Sequence, residues 1–102
     1  MAKRVDGNHA EIVEALRVYG CAVQSLAAVG HGVPDLLVAR NGRWYVMEVK
    51  DGSKPPSARK LTPDEAAWHE RFGRHAVVSV VETVEDALAA VCAWRDMQET
   101  SP

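Results

Sequence analysis

Three residues of this chain have the types and spacing for hydrolytic chemistry: Asp35, Glu48 and Lys50. Glu48 and Lys50 close the run Arg43-Trp44-Tyr45-Val46-Met47-Glu48-Val49-Lys50, whose Trp, Tyr and Val content, without Pro or Gly, reads as a strand. Side chains two apart on a strand share a face, so Glu48 and Lys50 stand side by side, ~7 Å apart at about 3.3 Å rise per residue. Trp44 and Val46 share that face; Tyr45, Met47 and Val49 take the other. Asp35 opens a second apolar run, Asp35-Leu36-Leu37-Val38-Ala39, and Asn41-Gly42 between the runs favours a two-residue hairpin turn. That turn pairs Arg40 with Arg43, and counting outward sets Asp35 opposite Glu48. Facing carboxylates repel. A hard divalent cation offsets the repulsion, and Mg²⁺ typically takes one or two carboxylates together with substrate phosphate and water. A neighbouring lysine can then orient or deprotonate an attacking water. The same spacing also fits a solvated strand end whose acids pair with Lys50 and Arg43, and spacing alone leaves both readings open.

The elements around these runs must position them. Asn8 to Tyr19 reads as a helix capped by Asn8 and ended by Gly20, with Ile12, Leu16 and Tyr19 as its buried stripe. Glu11 borders the stripe. Lying three after Asn8, it fits the acid of a capping box, and it also fits a border acid reaching the metal edge of the sheet. Cys21 to Leu26 reads as a first strand. Gly30-His31-Gly32 is a turn that delivers the chain to Pro34-Asp35, and its glycines permit close backbone approach to a ligand. His31 fits either a phosphate contact or a polar loop residue.

Residues 51–60 form an irregular loop rich in Gly, Pro and Ser. Its Lys54, Arg59 and Lys60 are placed to hold a nucleic-acid backbone, or else keep an exposed linker soluble. Thr62, Pro63 and Glu65 open the next helix as cap, first helical residue and capping-box acid. Trp68 and Phe72 are expected to face the core, and His69 lies one turn beyond Glu65. Ala76 to Val81, apolar on both faces, reads as an interior strand. Thr83 caps a last helix, Val84 to Met97, with Leu88, Val91, Cys92 and Trp94 as its apolar residues. Met1 to Gly7 and Gln98 to Pro102 are expected to fray. The resulting order, α-β-β-β-α-β-α, defines an α/β sandwich of mixed sheet and flanking helices.

Composition narrows the class. The chain has 102 residues, which suits a single domain over residues 1–102 with its core about 6–97. No apolar run approaches a membrane span, and the basic start lacks the apolar region of a secretory signal. Cys21 and Cys92 stand far apart without CxxC spacing, which points to two reduced thiols in a cytoplasm and away from a zinc site. Net charge is −2. Its distribution is uneven: Lys50, Lys54, Arg59 and Lys60 gather beside the two acids, while Glu82, Glu85, Asp86, Asp96 and Glu99 make the C-terminal region acidic. Phosphate binding could use that asymmetry. No helix-turn-helix, zinc finger or other base-reading module is visible, which favours recognition of backbone shape over sequence.

Pro34-Asp35 followed after a hairpin by Glu48-Val49-Lys50 resembles the PD-(D/E)xK nuclease signature. The wider set Asn8-His9-Ala10-Glu11-Ile12-Val13, Gly30-His31-Gly32-Val33-Pro34-Asp35-Leu36-Leu37-Val38, Glu48-Val49-Lys50-Asp51-Gly52 and Leu61-Thr62-Pro63 resembles the stand-alone VRR-NUC domains of phages and bacteria. The match runs from about Asp6 to Leu88. It implies a restriction-endonuclease-like α/β core and a Mg²⁺- or Mn²⁺-dependent endodeoxyribonuclease of the bacterial or phage-infected cytoplasm. In that reading Asp35 and Glu48 bind metal with the main-chain carbonyl of Val49 and, through a water, Glu11, and Lys50 orients or activates the attacking water. Lys54, Arg59, Lys60 and His31 would contact DNA. Stand-alone members are associated with branched DNA, so the resemblance implies a homodimeric Holliday-junction resolvase. Its rivals are a flap- or nick-directed or weakly specific nuclease, and a non-catalytic nucleic-acid-binding module. The family commonly carries Gln where this chain has Glu65, which fits the capping-box acid and also fits an extra ligand or water-positioning group near the site.

Overall fold

The computed structural model describes residues 7–91. Helix α1 (His9–Val18) leads through β1 (Ala22–Ser25) into the hairpin β2 (Leu36–Arg40) and β3 (Arg43–Val49). A short 3-10 turn (Pro56–Ala58), α2 (Pro63–Gly73), β4 (Val78–Val81) and α3 (Val84–Ala90) follow. This is the expected order. The four strands form one mixed sheet, β1-β2-β3-β4, antiparallel across β1, β2 and β3 and parallel between β3 and β4.

The hairpin register is the one the turn imposes. Arg40 pairs with Arg43 and Leu36 with Met47. Asn41 and Gly42 take φ of 50° and 77°, the left-handed pair that a tight hairpin turn needs. On β3, Tyr45, Met47 and Val49 point into the core, where they meet Ile12 and Leu16 of α1, Leu36 and Val38 of β2, Val81 of β4 and Ala87 of α3. Burying each large side chain of this layer contributes about 1.5–3 kcal/mol. Trp44 is on the opposite face and largely exposed.

Four expectations need correction. Strand β4 is not interior: among the described residues it pairs with β3 alone and forms an edge. Val81 faces the core, while Val80 is exposed beside Glu48, so its apolar run covers one buried and one half-open face. Trp68 and Phe72 do not enter the core. Their rings stack on each other, centroids 4.0 Å apart, because α2 lies across the face that carries Glu48 and Lys50. Asn8 sits at the N-cap of α1 but makes no side-chain cap bond. Its Nδ2 instead donates to the carbonyls of Lys50 (3.1 Å) and Glu82 (2.7 Å), tying α1 to the ends of β3 and β4. The glycine turn, finally, approaches protein backbone. Gly32, at φ 80°, packs so tightly on the first turn of α2 that a Cβ there would lie 2.3 Å from the Asp64 carbonyl oxygen.

The expected fraying of both termini and the continuation of the last helix to Met97, with Cys92, Trp94, Asp96 and Glu99, lie outside the described residues apart from Gly7. Cys21 is buried, and burial pushes its thiol pKa up. Among the described residues no helix is long and apolar enough to cross a membrane.

Candidate active site

The β2–β3 ladder ends at Leu36 and Met47, and the acids lie just beyond it. Pro34 is fully buried and Asp35 nearly so. The Asp35 carbonyl accepts from Leu26 N at 2.7 Å, while its carboxylate Oδ2 accepts from Val49 N at 2.8 Å. The Asp35 side chain thus takes the place of the next strand residue. In a strand the amide and carbonyl of one residue project from the same edge. The Val49 carbonyl therefore projects on the Asp35 side, as a main-chain ligand would.

Glu48 is 1% exposed. Its Oε1 lies 3.6 Å from His69 Nε2 on α2, longer than a hydrogen bond. Burial holds the His69 pKa below its ordinary value, with Glu65 opposing and Lys50 reinforcing the shift. Lys50 Nζ donates to Glu65 Oε1 at 2.9 Å across a nearly buried contact. The same Oε1 accepts from Thr62 N (2.9 Å), and Thr62 Oγ1 accepts from Glu65 N (3.2 Å). The capping box of α2 is therefore also the anchor of Lys50. Glu65 serves as the expected cap, and it reaches the site as well.

Among the described residues the buried polar or charged side chains are Asp35, Glu48 and Glu65, all acidic. Burying carboxylates is costly unless cations or donors meet them. Lys50 and the Thr62 amide meet Glu65, and the Val49 amide meets one oxygen of Asp35. The oxygens of Asp35 and Glu48, with the buried His69 Nε2 that makes no hydrogen bond, are donors that fit a divalent cation. Among the described residues no three His, Cys, Asp or Glu side chains stand gathered as a ready metal site. The holding group would then be Asp35 and Glu48 with the main-chain oxygen of Val49.

Other expected site residues stand further out. Glu11 is exposed and lines a cleft of about 350 Å³ with Asn8, Asp51, Ser53, Glu82 and Glu85. Arg59 is committed to the fold, its Nη1 donating to both Glu82 carboxylate oxygens at 3.1 and 3.3 Å. Lys54, Lys60 and His31 are exposed. His31 has φ 56° between Gly30 and Gly32, beside the start of α2. Sequence reasoning offered Glu65 as a group near the site but missed the bridge made by Asn8, the pairing of Glu65 with Lys50 and the approach of His69 to Glu48. The signal for the last two was the four-residue spacing of Glu65 and His69, which puts both on one helix face.

A mixed sheet with helices on both faces and paired acids at the end of a hairpin is a restriction-endonuclease-like nuclease core of the PD-(D/E)xK type. A solved structure described as a VRR_NUC domain shares it with a TM-score of 0.61 and 31% sequence identity, over 81% of this chain and 88% of that one. Neither a protein-family model nor a curated protein matches the sequence. The chain belongs to the VRR-NUC family.

Proposed function

We propose that this nuclease-type domain is a Mg²⁺- or Mn²⁺-dependent endodeoxyribonuclease selective for branched DNA, acting as a homodimeric junction resolvase in a bacterial or phage-infected cytoplasm. The observation that carries the reading is the buried pair Asp35 and Glu48 at the end of the hairpin, with Lys50 beside them. Bound by these acids and the Val49 carbonyl, a divalent cation would lower the pKa of the attacking water and neutralise charge developing on the phosphate.

The chain's own residues do the rest. Asp35 and Glu48 concentrate negative charge where the cation is needed, and Glu11 adds an acid at the neighbouring cleft, acting through water. Lys50 is held in place by Glu65. An ammonium carries three donors, so that tie leaves it able to orient the attacking water against the phosphate. Lys54, Lys60 and His31 supply exposed contacts to the DNA backbone. Arg59 can join them only by sharing its guanidinium with Glu82. A resolvase makes two symmetric cuts, and a twofold dimer presents two sites.

The test uses purified protein, a labelled four-way junction, a flap and a matching duplex, with Mg²⁺, Mn²⁺ or EDTA, beside Lys50→Ala. Metal-dependent paired nicks at the junction, absent in the variant, are expected. Cutting of every substrate would retain the chemistry and discard junction selectivity. Binding without cutting under any metal would overturn the enzyme reading in favour of a non-catalytic module. Sedimentation showing only monomer with and without junction would remove the dimer.

A further inference from the structure

His69 is the residue of this site whose position neither hydrogen bonding nor core packing explains. Its Nε2 is buried and makes no hydrogen bond, a state that costs about 1–3 kcal/mol and calls for a reason. The nitrogen is not remote from polar groups. It lies 3.6 Å from Glu48 Oε1, too far for a hydrogen bond at about 2.7–3.2 Å. That spacing is close to the separation of two ligands of one ion. Metal–ligand bonds of about 2.1 Å put neighbouring donors ~3.0 Å apart on an octahedron and ~3.4 Å apart on a tetrahedron.

The helix that presents His69 is held firmly. Its capping box locks Thr62 to Glu65, Glu65 binds Lys50, and Gly32 lies against the backbone of Asp64 and Glu65. His69, one turn further on, is thus delivered to Glu48 by an element with a locked first turn that is tied to the fold at Lys50 and at Gly32.

We propose that His69 Nε2 is a direct ligand of the divalent cation, so that this chain offers nitrogen as well as oxygen donors. The inference rests on the reading of Asp35 and Glu48 as metal ligands. No three side chains stand already gathered among the described residues, so binding would require the carboxylates and the imidazole to rotate toward the ion. An imidazole shifts preference away from Mg²⁺, which favours oxygen and water, toward Mn²⁺ and the later divalent transition metals.

The experiment is Mn²⁺ binding followed by electron paramagnetic resonance, with electron spin-echo modulation reading ¹⁴N coupled to the bound ion. Wild type, His69→Gln, Asp35→Asn and Glu65→Gln are compared, each checked for folding by circular dichroism. The expected result is ¹⁴N modulation of bound Mn²⁺ in wild type and Glu65→Gln, and its loss in His69→Gln. In His69→Gln, Mn²⁺ affinity should fall by at least the roughly tenfold that losing a supporting partner costs. The preference for Mn²⁺ over Mg²⁺ should narrow in the same variant. Suppose Mn²⁺ binds, Asp35→Asn weakens it, and neither modulation nor affinity depends on His69. The proposal then fails and the two-acid site stands. If wild type binds no Mn²⁺, or Asp35→Asn binds it as well as wild type, the two-acid reading fails and the His69 ligand with it.

Discussion

Substituting Gly32 tests the joint between the glycine turn and α2. Two costs fall on Gly32→Ala. The residue sits at φ 80°, a left-handed conformation that costs a non-glycine residue about 1–2 kcal/mol. Its new Cβ would also lie 2.3 Å from the Asp64 carbonyl oxygen, 2.5 Å from the Asp64 carbonyl carbon and 2.9 Å from the Glu65 nitrogen. These are backbone atoms of the first helical turn, so no flexible side chain can give way. Forcing such a shift adds about 1–3 kcal/mol. The sum is roughly 2–5 kcal/mol, a large fraction of the ~5–15 kcal/mol that holds a domain folded. Gly30→Ala is the control: φ is 70°, but nothing lies within 4 Å of its Cβ, so only the conformational cost applies. Urea unfolding should therefore place Gly32→Ala about 1–3 kcal/mol below Gly30→Ala. If it remains folded, Gly32→Ala should also weaken cleavage more than Gly30→Ala, because the displaced turn carries Glu65 and with it Lys50. Equal destabilisation by the two variants would refute the contact between turn and helix.

Three further outcomes follow from the site. Asp35→Ala strips the buried Val49 amide of its acceptor and should lower unfolding free energy by about 1–3 kcal/mol, whereas Asp35→Asn retains an oxygen and should stay near wild type. Both should lose cleavage, and a folded variant of either kind cutting at the wild-type rate would refute the role of Asp35. Glu65→Ala breaks a nearly buried pair and should cost about 3–5 kcal/mol by thermal or urea unfolding. Glu65→Gln keeps an acceptor for both Thr62 N and Lys50 Nζ and should recover most of it; equal losses would show that the shared oxygen is unimportant. Burial lowers the folded-state pKa of His69, so below about pH 6.5 the unfolded chain takes up the proton first. Stability is then lost as pH falls through that window. Urea midpoints at pH 7.5 and 5.5 should drop further in wild type than in His69→Gln, and parallel drops would refute the assignment.

Much of the fold was legible because its signals are local. Asn41-Gly42 dictates a turn of fixed length, and that length sets the whole β2–β3 register. Thr62-Pro63-Asp64-Glu65 contains its own capping box. Where a residue's partner lies far along the chain, local pattern misleads. Asn8 looks like a cap, yet its amide is drawn to two carbonyls 42 and 74 residues away. The apolar run in β4 does not distinguish burial between strands from an edge position with one half-open face. Trp68 and Phe72 have the spacing of a core stripe, but the face of β3 beneath α2 is polar near Glu48, and the rings turn to each other.

The same reasoning explains why the site was only half visible. Asp35, Glu48 and Lys50 belong to one hairpin, so turn geometry brings them together without help from the remaining chain. Glu65 and His69 depend on where α2 docks, and that is set by a glycine 33 residues before Glu65 lying against the helix backbone. Glu65 satisfies a helix terminus and a lysine with one oxygen, so its local explanation is complete even though its second partner is 15 residues away. A polar residue with an adequate local reason to exist hides a distant role. His69 is the converse case: no local rule needs an imidazole there, its buried nitrogen finds no hydrogen bond, and a buried acid stands 3.6 Å from it. The residue that local rules leave unexplained is therefore the one on α2 whose proposed role as a metal ligand the Mn²⁺ experiment tests.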